Sequence, residues 1–137
     1  MAVERLTMVL DFKLNQAFRD LFESYGFGVL WAEADAKALE AMIRPGEVDI
    51  AINYQYGRED YSLRDLVWRK DKNVPVLLTL NWDGTLPPKY EELGFAGTLK
   101  WPNTVDSVKE LKEKVYSVLP EAKRKILVSL PLWETQA

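Results

Sequence analysis

At 137 residues, 47% hydrophobic and 28% charged, with a formal charge of −3, the chain has the size and balance of one soluble globular domain. It has no cysteine, which excludes disulfides and thiolate chemistry, and no histidine, which removes the commonest general base and metal ligand. The mild acidity argues against a nucleic-acid binder, and no stretch approaches the roughly 20 apolar residues of a membrane span.

In chain order, Met1-Ala2-Val3-Glu4-Arg5 carries a charged pair that interrupts any signal-peptide run, so a cytoplasmic protein is expected. Arg5 to Leu10 reads as a buried first strand. Leu14, Ala17, Phe18, Leu21, Phe22 and Tyr25 share one face of a helix, with Gly26 where a C-terminal cap belongs. Phe27 to Ala32 reads as a second strand. Asp35 is placed to cap a helix carrying Leu39, Met42 and Ile43, which Pro45-Gly46 ends.

Val48 to Tyr54 is the third strand. Ser62 with Asp65 has the spacing of a capping box before Leu63, Leu66 and Val67. Val74 to Leu80 is nearly all apolar, as a parallel strand covered on both faces should be. A turn-rich passage (Asn81 to Pro88) then leads to a short helix over Lys89 to Leu93. Gly97 to Lys100 is the fifth strand. Thr104 caps a last long helix with Val105, Val108, Leu111, Val115 and Val118 on one side.

Strand and helix alternate five times, and right-handed crossovers place helices on both faces of a parallel sheet. The expected fold is therefore α/β, a flavodoxin-like doubly wound five-stranded sheet in the order 2-1-3-4-5. Residues 1–119 form the domain, and residues 120–137 are a C-terminal extension. Its apolar run Ile126 to Leu130 reads as an extra edge strand, or one exchanged with a partner, that Pro131 ends. The basic triplet Lys123-Arg124-Lys125 reads as a solvated link rather than a nucleic-acid contact.

Several passages share type and order with one family. They are Glu23 to Val29, Asp35 to Met42, Val48 to Tyr54, Asn73-Val74-Pro75-Val76, and Gly94-Phe95-Ala96-Gly97-Thr98-Leu99-Lys100-Trp101-Pro102. Over about residues 4–119 the chain resembles the receiver domains of bacterial two-component response regulators. The resemblance implies five functional positions: two acids after the first strand, an acceptor aspartate ending the third, a hydroxyl after the fourth and a lysine after the fifth. The acids hold a divalent cation, and the hydroxyl and ammonium stabilise the transferred oxygens.

These positions are degenerate here. An ungapped count from Gly26 puts the acids at Val9 and Leu10, with Asp11 next. The acceptor falls on Tyr54, or on Asn53 if the strand slips by one. The hydroxyl falls on Leu80, with Thr79 one residue early and on the opposite side, and the lysine falls on Trp101, with Lys100 one residue early. An amide or a phenol does not replace a carboxylate as phosphoryl acceptor. The resemblance thus implies a scaffold without its phosphotransfer chemistry: no catalytic residue, no metal site and no cofactor.

Asp11 reads more readily as a helix cap than as a residual metal ligand. Asp49 reads as a solvated strand terminus. Tyr54 fills the space that metal and phosphate would occupy, or else, with Tyr56, lines a pocket for a small polar molecule. Trp31 and Trp68 read as packing residues. Trp82, Tyr90 and Trp101 lie around the fourth and fifth strands, where the resemblance implies a partner or dimer surface; Trp and Tyr are enriched at binding hot spots. The expected function is a non-enzymatic signalling module. Its partner is a protein, whether a kinase, a regulator or a second copy forming a homodimer, with no nucleic acid and no membrane. A small-molecule sensor at Tyr54 and Tyr56 is the alternative.

Overall fold

The computed structural model describes residues 6–11, 16–31, 36–54, 61–79, 90–99 and 105–130. Strands β1 (Thr7–Leu10), β2 (Gly28–Leu30), β3 (Ile50–Tyr54), β4 (Val76–Thr79) and β5 (Gly97–Leu99) form one sheet in the order 2-1-3-4-5. Every ladder is parallel: Met8 pairs with Val29 on one side and Ile50 on the other, and Leu78 pairs with Asn53 and Thr98. Helices α1 (Gln16–Ser24), α2 (Ala36–Met42), α3 (Ser62–Lys70), α4 (Val105–Val118) and α5 (Glu121–Ser129) complete the fold, with a 3-10 turn over Tyr90–Leu93 between β4 and β5.

Alternation along each strand divides the core in two. Met8, Leu10, Ile50, Ile52, Leu77 and Leu99 pack with Phe22 of α1, Leu111 and Val115 of α4 and Leu127 of α5. Val9, Ala51 and Val76 pack with Leu39 and Ile43 at α2 and with Leu63, Leu66 and Val67 of α3. Both faces of the sheet are covered, which is why its strands read as continuous apolar runs. Met42, expected on the apolar side of α2, is exposed instead; Leu39 and Ile43 carry that helix's burial.

Gly26 ends α1 at φ 102°, a conformation that disfavours any residue with a Cβ. A Cβ there would also stand 3.2 Å from Leu130 Cδ2, so the same glycine seats the residue that follows α5. Beside this turn, Lys112 of α4 is almost buried, with its ammonium 4.9 Å from the Tyr25 ring centroid. Burial lowers the Lys112 pKa and raises that of Tyr25.

The C-terminal extension corrects an expectation: residues 121–129 are helix, not an edge or exchanged strand. Lys123, Ile126, Leu127 and Leu130 recur at helical spacing on the inner side, and Val128, central to the apparent apolar run, is exposed. Pro120 forces the break from α4, because it has no N–H to give the Tyr116 carbonyl of a continuing helix. Arg124 takes over that carbonyl at 2.9 Å and the Ser117 carbonyl at 2.9 Å.

Asp49 supplies a second correction. Its side chain is only 8% exposed, and so is no solvated terminus. Oδ2 accepts the Thr7 N–H at 2.8 Å, while Oδ1 meets Lys123 Nζ at 3.0 Å, tying α5 to the amino ends of β1 and β3. Two of the three basic residues in 123–125 are thus engaged within the chain.

Asp71, just past α3, accepts the Gly46 N–H at 2.9 Å and the Asn73 N–H at 3.0 Å. These backbone hydrogen bonds hold its pKa below the ordinary 3.8. A depressed carboxylate pKa contributes stability above the unfolded value and loses it as pH falls through the folded one. Asp71→Asn should therefore flatten the acid limb of a stability–pH curve below pH 3.8 and leave its neutral plateau shape unchanged, as read by denaturant titration across pH.

Candidate functional site

The carboxyl end of the sheet brings together the ends of β1, β3 and β4. Asp11 follows β1; its N–H continues the ladder to the Ile52 carbonyl at 3.1 Å. Its carboxylate Oδ2 accepts the Tyr54 N–H at 3.0 Å, and the residue is fully buried. The described partner of Asp11 is thus the backbone of the neighbouring strand. Capping of the first helix involves residues 12–15, which lie outside the described residues.

Asn53 shares the face of Ala51 and Val9 and points toward α3. Fully buried, its Oδ1 accepts the Arg64 N–H at 3.0 Å. This replaces the expected capping box. Tyr61 occupies the cap position with no side-chain cap hydrogen bond, and Ser62 is already the first helical residue. Asp65 pairs with the Arg64 guanidinium, at 3.0 Å to Nε and 2.9 Å to Nη2. The acceptor that the first turn of α3 needs comes from across the layer, out of β3.

Tyr54 and Thr79 are register partners and lie on the opposite face, with Leu77 and Leu99. Tyr54 is half-buried against the larger core cluster, in keeping with a space-filling role. Thr79 is fully buried, and its Oγ1 donates to the Asn53 carbonyl at 3.3 Å. The structure therefore divides the degenerate positions: Asn53 serves one layer of helices, and Tyr54 with Thr79 serves the other. Lys100, Tyr56, Trp82 and Trp101 lie outside the described residues. Tyr90 opens the 3-10 turn, but its side chain is outside them too. Among the described residues no three acidic side chains gather into a cation site.

The residue that sequence reasoning missed is Arg64. Its guanidinium carbon lies 5.0 Å from the Tyr61 ring centroid, 5.5 Å from Trp68 and 5.6 Å from Phe95. The recurrence of Tyr61, Arg64 and Trp68 at i, i+3 and i+7 was a usable signal. Trp68, read as packing, does pack against the smaller core cluster and donates its indole N–H to the Val74 carbonyl at 3.1 Å.

Asn53→Leu keeps the branched shape and the number of heavy atoms but removes the acceptor for α3. It should lower the unfolding free energy by about 1 to 3 kcal/mol, the cost of stranding a buried donor. Faster hydrogen exchange at the Arg64 amide would locate the loss; an unchanged amide would refute the capping role.

The fold is similar to that of the signal receiver domain of a modulated diguanylate cyclase from Desulfovibrio desulfuricans G20, a crystal structure described as an example of alternate folding. The superposition has a TM-score of 0.50 at 12% sequence identity and covers 81% of this chain and 93% of that one. At such identity the likeness speaks for the fold alone. No protein family matches the chain, and no curated protein does.

Proposed function

We propose that this chain is a non-catalytic signalling module on a receiver-like scaffold, acting through protein contacts without aspartyl phosphorylation. The observation that carries the reading is the use made of the end of β3. Tyr54, or Asn53 if the strand slips by one, stands where a carboxylate nucleophile would be needed; neither is an acid, and Asn53 is fully buried with its side-chain oxygen on the amide of Arg64. Asp11, the nearby acid, spends an oxygen on the Tyr54 amide. An acceptor must present a free carboxylate oxygen in line with the phosphorus. Asn53 has no carboxylate, one oxygen of Asp11 serves the neighbouring strand, and the hydroxyl of Thr79 is turned to the Asn53 carbonyl.

The partner in this reading is another protein: a kinase, a regulator or a second copy. It meets the surface expected around the fourth and fifth strands, to which Trp82, Tyr90 and Trp101 belong. Incubation with magnesium and a small phosphodonor should leave the intact mass unchanged, and amide spectra should stay flat when beryllofluoride is added as an acyl-phosphate mimic. A stoichiometric, hydroxylamine-labile phosphoryl adduct would overturn the proposal.

A further inference from the structure

The end of β3 and the β4–β5 connection meet at one residue, the first through its backbone and the second through its side chain. Arg64 is held at its backbone N–H by Asn53 Oδ1, and its Nη1 donates to the Leu93 carbonyl at 3.0 Å, 29 residues further along the chain. Its side chain is 17% exposed, enclosed by the rings of Tyr61, Trp68 and Phe95, with Asp65 closing the outer side. The connection runs close over the indole: a Cβ on Gly94, at φ 81°, would stand 3.0 Å from Trp68 Cη2. A planar guanidinium stacks on rings while its in-plane donors reach a carbonyl and a carboxylate; an ammonium does not combine the two.

We propose that Arg64 is a latch that pins residues 90–96 to α3, a helix whose first turn is itself held by Asn53 at the end of β3. The inference rests on the reading that the chain works through protein contacts, because the pinned segment belongs to the expected partner surface. The latch presents that surface in one arrangement without any covalent modification. It is testable with no partner and no phosphodonor, so its failure and the failure of the functional reading are separate results.

The experiment is amide hydrogen exchange by NMR on the full chain, comparing wild type with Arg64→Lys and Arg64→Ala. Ala96, whose N–H donates to the Val76 carbonyl at 2.9 Å, is the reporter. Both variants should accelerate its exchange by at least about tenfold, the factor expected from one hydrogen bond to a charged group. Amides of β1 and β3 should stay within about twofold, as independent local opening requires. Ethylguanidinium should restore protection in Arg64→Ala and ethylammonium should not, while Asp65→Asn should leave Ala96 unchanged. Unaltered exchange at Ala96 in both Arg64 variants, uniform loss across the sheet, or equal rescue by ethylammonium would each overturn the latch.

Discussion

Phe22→Ala is expected to lower the unfolding free energy by about 3 to 5 kcal/mol, the range for deleting a buried ring from a well-packed core. Phe22 is fully buried, and its ring meets Phe27 edge-on at 5.7 Å and Tyr25 at 6.5 Å. Its carbonyl also accepts the N–H groups of Tyr25 and Phe27, so the turn from α1 into β2 is built around it. Neighbours held by their own backbone bonds have little freedom to collapse into the space left behind. Denaturant titration measures the loss, and Phe22→Leu should recover most of it. A deficit under about 1.5 kcal/mol for the alanine variant would mean that the site closes up after all.

Leu127→Asp is the second large effect. A carboxylate cannot stay at a fully buried position in the larger core cluster without a partner, so α5 should detach. A helix of nine residues does not persist alone in water. Amides over 123–130 should lose nearly all protection while β3 and β4 keep theirs. Leu127→Ala should cost about 2 to 5 kcal/mol at the same place. Equal loss throughout the sheet would show α5 to be part of a single cooperative unit rather than a docked element.

The sheet and its order were legible because burial on both faces writes itself into local composition: Val76 to Thr79 and Ile50 to Tyr54 are strands by pattern alone. The C-terminal helix was misread because three consecutive apolar residues, Ile126 to Val128, imitate a buried strand. The decisive cue was the wider spacing from Lys123 to Leu130, together with the helix-forming stretch before it. Asp49 reads as a solvated strand terminus in the sequence because its partners, Thr7 and Lys123, are remote along the chain. The same holds at the candidate site. Composition told that Asn53 and Tyr54 lack the chemistry of a phosphoryl acceptor. What they do instead depends on Arg64 and Asp11, which only the folded chain brings within reach. Pairings across layers leave no periodic trace.

Both outer strands of the sheet, β2 and β5, are three residues long. On β5 the only position without a side chain, Gly97, is roofed by the Lys114 stem, whose Cδ stands 2.8 Å from where a Cβ would be. The lysine covers the face of β5 rather than its hydrogen-bonding edge, so what blunts that margin as a template for a foreign strand is its shortness. Brevity at both borders thus limits pairing of one sheet with another, edge to edge.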